Sequence, residues 1–209
     1  MTAHRIASPE ELAALYPNPI APASLLKEID HIDANYGALI AASPFLVLAT
    51  NGPEGLDCSP RGDQPGFVRV ADPRTLLIPD RRGNNRLDSL KNLLVDPRVG
   101  LLFMIPGYGE TLRVNGRAVL STEPELCASF AIAGKLPACV IVVSVEAAYF
   151  QCSRAVVRAD LWNPAAQVDR ASLPSAGTIL RDIAARGAES FGGEAYDKAL
   201  PERVRATLY

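Results

Sequence analysis

Between Thr75 and Leu90 the chain reads TLLIPDRRGNNRLDSL, and this stretch concentrates the side chains best suited to hold an anion. Arg81, Arg82 and Arg86 place three guanidinium groups close together, each able to grip two oxygens of a phosphate or carboxylate at once. Asn84 and Asn85 suit the turn between them, because an asparagine side chain bonds to nearby backbone and tolerates left-handed angles. A helix starting near Arg86 would aim unpaired backbone N–H groups at the same spot. Ser89 follows Arg86 by three positions, so on that helix its hydroxyl shares the arginine's face. The competing roles are ordinary ones. The arginines could form surface ion pairs, which contribute little and need no such turn; the asparagines could simply form the turn, and Ser89 could be a solvated helix serine.

Two further places join this set. Arg61 lies in LDCSPRGD, residues 56–63, just past Pro60, which cannot donate to a sheet ladder and so marks a strand end or bulge. An arginine projecting from that irregular place can meet a ligand or bridge to Asp57 or Asp63. Thr111 and Arg113 alternate with Leu112 and Val114 in TLRVNGRAVL, and the period of two puts Thr111 and Arg113 on one wet strand face. Asn115-Gly116 in the same run implies a bulge or a close backbone approach.

Other chemistries find no support. Both histidines, His4 and His31, precede the strand-rich part of the chain, which excludes a Ser-His hydrolase, and no GxSxG elbow or clear carboxylate pair occurs. Cys58, Cys127, Cys139 and Cys152 lie far apart without a CxxC pair, so no metal site is expected and each cysteine reads as a small hydrophobe. No GxGxxG follows a strand, so a dinucleotide fold is not expected.

The elements that must position these residues follow from the hydrophobic period. Ser8-Pro-Glu-Glu opens a short helix with a capping box, ending near Tyr16 where Pro17, Pro19 and Pro22 break it. A second helix is expected from Ser24 to Ala41, with Leu25, Ile29, Ile32, Tyr36 and Leu39 on one face. After Pro44 the period changes, and strands are expected at 45–50, 56–63, 67–70, 75–78, 99–105, 111–122 and 138–149. The turn Asn51-Gly-Pro-Glu-Gly joins the first two. Helices at about 86–95 and 123–133 interrupt the set, and 153–162 reads as a strand end or short helix. Neighbouring strands joined by tight turns argue for an antiparallel barrel, not a doubly wound sheet. Amphipathic helices at 174–187 and 194–208 close the chain. The division expected is 1–42 as helices packing on the barrel, 43–165 as the barrel, and 166–209 as a helical extension.

Composition narrows the ligand. The formal net charge of -2 hides a basic middle: Cys58 to Arg117 carries ten basic and six acidic residues, leaving 11 basic and 17 acidic elsewhere. That excess is too mild for a nucleic-acid surface, and at 6% aromatic residues the chain has few stacking platforms. A small anionic ligand fits better. No apolar run approaches the roughly 20 residues that span a bilayer, and the start lacks a signal-peptide apolar region. A soluble cytoplasmic protein with no membrane partner is expected.

Four runs in order, SPRGD at Ser59–Asp63, IPDRRGNNRLDSL at Ile78–Leu90, GLLFMIPG at Gly100–Gly107 and ETLRVNGRA at Glu110–Ala118, resemble the pyridoxamine 5'-phosphate oxidase-like, FMN-binding split-barrel superfamily. The nearest branch is one of FMN-dependent proteins sharing those runs, and the segment Arg158 to Trp162 agrees with it. The resemblance covers about residues 20–175. It implies a mainly β fold, a six-stranded antiparallel Greek-key-like split barrel with flanking helices, assembled as a homodimer with FMN in each of two interface clefts. It places Arg61, Arg81, Arg82, Asn85, Arg86 and Ser89 at the FMN phosphate, and Thr111 or Arg113 near the flavin, with Arg158 and Trp162 able to cover the ring or meet the partner subunit. The activity implied is FMN-dependent oxidation or reduction of a small organic molecule, with NAD(P)H or oxygen as the other partner. The alternatives are flavin storage or sensing without turnover, or use of the deazaflavin F420. A haem version is weakened by the lack of a barrel histidine. The lysine-ended strand, Ser-Arg-Lys and Arg-x-His motifs of pyridoxamine phosphate oxidase itself are missing, so the vitamin is not the expected substrate.

Overall fold

Residues 4–187 and 189–209 are described by the computed structural model. Alternating apolar residues from Phe45 onward build one antiparallel sheet of seven strands: β1 (Phe45–Gly52), β2 (Gly55–Gly62), β3 (Arg69–Asp72), β4 (Thr75–Pro79), β5 (Arg98–Met104), β6 (Thr111–Ser121) and β7 (Val140–Gln151). Their spatial order is β2-β1-β5-β6-β7-β4-β3. This is the split-barrel class expected, with one strand more than the six implied by resemblance. The shortest strand, β3, is exposed throughout and pairs only with β4.

The core lies on one face of the sheet. Leu46 and Leu48 of β1 oppose Phe103 and Leu101 of β5, and with Leu112, Val114, Ile141 and Val143 they are sealed from solvent. Each such side chain contributes about 1.5–3 kcal/mol of transfer free energy. The bulge expected at Asn115-Gly116 is present as a register shift against β7. A Cβ on Gly116 would lie 2.1 Å from the Ser144 carbonyl oxygen, so only glycine fits this approach.

The β1–β2 hairpin turns tightly through Gly52 and Gly55, and its register sets Arg61 opposite Leu46, Ser59 opposite Leu48 and Asp57 opposite Thr50. Directly opposed residues share a face. Asp57, Ser59 and Arg61 therefore lie on the core side of an edge strand.

Helices close the ends. In α1 (Pro9–Leu15) the Ser8 hydroxyl accepts the Glu11 N–H at 3.2 Å, and the Glu11 carboxylate reaches back to the Ala7 N–H at 2.7 Å. The long helix expected from Ser24 to Ala41 is instead α2 (Pro22–Leu26) and α3 (Ala34–Ala42). Between them Ile29 exchanges both backbone hydrogen bonds with Ala148 of β7, at 3.0 and 2.7 Å. Asp33 then caps α3 by accepting the Tyr36 N–H at 2.8 Å. The apolar spacing did mark Ile32 and Tyr36 as core; a strand partner and a capping aspartate decide the backbone between.

α4 (Asp88–Val95) packs across β1, β2 and β6. It is pinned to the first hairpin by the Asn92 amide, which donates to Thr50 Oγ1 at 3.2 Å and to the Gly55 carbonyl at 3.3 Å. α5 (Pro124–Ser129) is shorter than expected. Glu123 caps its start at 3.1 Å from the Leu126 N–H, and Ala133, expected within it, has φ of 49°. α6 (Arg154–Arg158) takes the short-helix alternative for that stretch, and α7 (Ala176–Arg186) and α8 (Gly193–Ala206) pack on one another. Among the described residues no helix is long and apolar enough to cross a membrane.

Candidate functional site

Asp57, Ser59 and Arg61 end the core on its β2 side, and the loop after β4 faces them. Together with the start of α4, Leu136 and Ala138, they enclose a cavity of 580 Å³. Arg61, Arg81, Arg82, Asn85, Arg86 and Ser89 all line it, so the structure brings together six of the eight residues that the sequence singles out. Thr111 and Arg113 it places elsewhere. They alternate with the buried Leu112 and Val114 on the outer face of β6, where Arg113 donates to the Tyr149 hydroxyl at 2.9 Å and lies 5.2 Å from its ring centre. Trp162 is also outside this cavity, donating its indole N–H to the Tyr108 carbonyl at 2.8 Å.

The loop has the expected turn. The Asn84 side-chain oxygen accepts the Arg86 N–H at 3.1 Å, and Asn85 takes φ of 59°. Leu87 is unexpected: it sits at the N-cap of α4 with φ of 62° and ψ of 18° and offers no side-chain cap. For a bulky L-residue this left-handed conformation costs roughly 1–2 kcal/mol. The first turn of α4 is closed by the Lys91 N–H bonding the Leu87 carbonyl at 2.9 Å. The N–H groups before Lys91 have no intrahelical acceptor, which is the usual anion-binding feature of a helix start.

The four arginines differ in freedom. Arg82 is exposed, and among the described residues its side chain has neither ion pair nor hydrogen bond. The Arg86 side chain is 79% exposed and pairs with Asp88 through Nε, which pushes its pKa further up. Arg81 is held from behind: Nε donates to Asp63 at 2.7 Å and a terminal nitrogen to the Phe130 carbonyl at 2.8 Å. Asp63, a candidate partner of Arg61 in the sequence, thus serves Arg81.

Arg61 is the unusual case. Its Nε is buried and has no hydrogen-bond partner, the only such side-chain atom among the described residues. The facing anion, Asp80, lies 3.8 Å from a terminal nitrogen, too far for a hydrogen bond. A buried donor left so costs about 1–3 kcal/mol and calls for an explanation. An acceptor brought against Arg61 by a small repacking of the wall would supply one.

The carboxylates on the cavity wall were missed in the sequence. Burial pushes the pKa of Asp80 up, with Arg61 pulling it partly back. Burial also pushes Asp57 up, but hydrogen bonds from Ser89 and Ser59, the Arg61 charge and the Cys58 N–H outweigh it and leave its pKa lowered. Ser59 donates to Asp57 at 2.8 Å, and the buried Ser89 donates to the same oxygen. Ser89 is therefore neither solvated nor a free donor. The signal for Asp57 and Ser59 was present in LDCSPRGD, where they share the two-residue period of Arg61.

Cys127 and Cys139 are buried as small hydrophobes, whereas Cys58 and Cys152 are exposed; burial, with the nearby Asp80 charge, pushes the Cys139 thiol up to about 11. Among the described residues no cluster of three or more His, Cys, Asp or Glu is placed to hold a metal. A second cavity of 800 Å³ lies by α2 and α3, lined by Lys27, Tyr36, Tyr108 and Phe150 among others, and holds none of the eight residues.

Comparison with known proteins adds a family and several solved structures. The family model for pyridoxamine 5'-phosphate oxidase matches residues 32–152. HupZ from Group A Streptococcus is 17% identical, with 58% of this chain and 95% of that chain covered and a TM-score of 0.48. General Stress Protein 26 from Bacillus anthracis str. Sterne is 13% identical, with 54% and 88% covered and a TM-score of 0.40. A NimC/NimA family protein from Clostridium acetobutylicum is 16% identical, with 56% and 91% covered and a TM-score of 0.35. No curated protein matches the chain.

Proposed function

The chain belongs to the pyridoxamine 5'-phosphate oxidase family, and we propose that within it the protein is an FMN-dependent oxidoreductase acting on a small organic molecule. The observation that carries this reading is the buried, unpartnered Nε of Arg61 in a cavity that also receives the open N-terminus of α4. A phosphate-bearing ligand offers what these groups lack. Arg82 and Arg86 at the rim, Asn85 in the turn and the first N–H groups of α4 would hold the phosphate, and Arg61 would meet it or an adjoining oxygen. Asp80 and Asp57 offer acceptors to the hydroxyl groups of a sugar-like linker. When bound, FMN supplies the chemistry, taking up and passing on a hydride or electrons. The chain's own part is to orient that group and exclude water around it.

On the same reading the protein is a cytoplasmic homodimer. Thr111 and Arg113 face outward on a surface that also bears the exposed Phe45 and Leu56, and in a dimer they would serve the partner's cavity. The electron donor proposed is NAD(P)H. Pyridoxamine phosphate is not the proposed substrate, for the motifs that would recognise it are missing.

Purification without added cofactor, followed by a visible spectrum and mass identification of whatever heat releases, tests the proposal. FMN that NAD(P)H reduces is the expected result. Bound FMN that resists reduction would reassign the protein to flavin storage or sensing, and a released mass of F420 would change the cofactor. A colourless protein that takes up no FMN on titration would sink the reading, and a cofactor-loaded monomer in light scattering would defeat the shared site.

A further inference from the structure

Asp63 stands behind the cavity wall that Arg81 helps to line, and the network they form does not end with them. The Tyr209 hydroxyl donates to Asp63 Oδ1 at 2.8 Å, its ring centre lies 5.7 Å from the Arg81 guanidinium, and its carbonyl oxygen accepts from Lys135 Nζ at 2.9 Å. The Asp63 carboxylate, 1% exposed, accepts from Arg81 Nε on one oxygen and from Tyr209 and the Gln64 N–H on the other. Four segments distant in the chain thus meet at one aspartate and one arginine: the end of β2, the loop after β4, the loop after α5, and the residues after α8.

This arrangement has a directional consequence for Arg81. A guanidinium carries five donors in a rigid fork, and here two of its nitrogens are committed away from the cavity, to Asp63 and Phe130. The plane of the fork is set by the plane of the Asp63 carboxylate. That carboxylate is in turn fixed by what binds its second oxygen, the Gln64 N–H and the Tyr209 hydroxyl. Without the phenol, that oxygen keeps only the Gln64 N–H, so the carboxylate plane is less tightly fixed and the Arg81 fork can tilt toward the neighbouring Asp80, whose carboxyl lacks a hydrogen-bonded cation.

We propose that Tyr209 is a positioning residue for Arg81, holding its guanidinium in the wall of the anion cavity and so making the segment from α8 to Tyr209 part of the binding site. The inference rests on the reading that this cavity takes a phosphate group.

The test is a double-mutant cycle on the full chain, with Tyr209→Phe, Arg81→Lys and their combination, titrated with FMN and separately with inorganic phosphate. Tyr209→Phe keeps the ring and removes only the hydroxyl. It is expected to weaken FMN binding by about three- to tenfold, mainly through faster release, and to add nothing once Arg81 is lysine, because coupled residues are non-additive. An unchanged affinity, or the same loss in both backgrounds, would overturn the proposal.

A second readout needs no cofactor. The hydrogen bond to Asp63 holds the Tyr209 phenol above the ordinary tyrosine range, burial and the Asp63 charge add to this, and Arg81 pulls the other way; Lys135 meets only its backbone carbonyl. Ultraviolet difference titration of wild type against Tyr209→Phe isolates this phenol. Asp63→Asn is expected to return it to the ordinary range, and a wild-type phenol already there would overturn the network. Failure to bind either FMN or phosphate would overturn the cavity reading instead, while the phenol titration still decides whether Tyr209 holds Asp63.

Discussion

Leu48 and Ser59 oppose one another across a single pair of strands and point to the same side of the sheet, yet one is core and the other is cavity wall. The same holds for Leu46 against Arg61. The difference arises from what lies beyond each strand. β1 has β5 on its far side, whereas β2 is the last strand of the sheet, so its inner face is covered by α4, the loop after β4 and the segment before β7 that carries Leu136 and Ala138. One strand spacing, about 4.8 Å, therefore separates a dry environment from one half-open to ligand. In that half-open row, burial raises the pKa of Asp80 and leaves Arg61 Nε without a partner.

Substitutions on the two rows should therefore fail in opposite ways. Leu48→Ala, on the dry row, is expected to cost about 2–5 kcal/mol of unfolding free energy, measured by chemical denaturation, with FMN affinity per folded molecule nearly unchanged. Arg61→Met, one strand over, should do the reverse. It abolishes the unpaired donor, whose burial costs about 1–3 kcal/mol, while removing the proposed ligand contact. Its effect on stability should depend on pH through Asp80. That carboxyl has a raised folded-state pKa, so its protonated form is the one the fold favours. Without Arg61 the shift grows, and any gain in the variant should be fullest below about pH 4 and shrink as pH rises through the folded value. A variant that is less stable than wild type at every pH, or that binds FMN as before, would erase the distinction between the rows.

How much of this contrast could be seen in the sequence follows from how local each cause is. The dry row was legible because Phe45 to Thr50 is a short apolar run followed by a strong turn. The arginine loop was legible because guanidinium groups, asparagines and a helix start lie within one short window. Asp57, Ser59 and Asp80 were not recognised as cavity wall. The placement of Asp57 and Ser59 depends on β2 being an edge strand, and that of Asp80 on the loop after β4 lying across from it, which no local pattern states. The pairing of Arg81 with Asp63, and of both with Tyr209, joins residues up to 146 positions apart, and only the folded topology brings them together. The split between α2 and α3 was hidden for a similar reason: Ile29 has the spacing of a helix residue but finds a partner on β7.

Arg86→Ala probes the rim of the wet row. Its side chain is largely in solvent and paired only with Asp88 two residues on, so folding should scarcely notice its loss. FMN affinity should fall by roughly tenfold to a hundredfold if a charge-assisted bond to phosphate is lost, and the salt dependence of binding should weaken with it. Equal affinity in titration calorimetry would remove Arg86 from the site and leave Arg61, Arg81 and Arg82 to carry the anion.

Leu87→Gly should have the smallest effect on binding and is the most exacting test of the loop. Leu87 holds a left-handed conformation that costs a bulky residue roughly 1–2 kcal/mol and that glycine adopts freely. Against that relief stands the added freedom of glycine in the unfolded chain, about 0.5–1 kcal/mol. Leu87 is about half exposed, so little packing is lost, and the two effects should cancel to within about 1 kcal/mol. Binding should respond differently. The left-handed residue sets the start of α4 against the cavity that Arg61 lines, and a flexible residue there makes ordering that turn part of the cost of binding. Stability near wild type with FMN affinity reduced about three- to tenfold is therefore expected. A clear rise in stability with affinity unchanged would show that the strain serves no ligand, and that the wet row differs from the dry one only in its exposure.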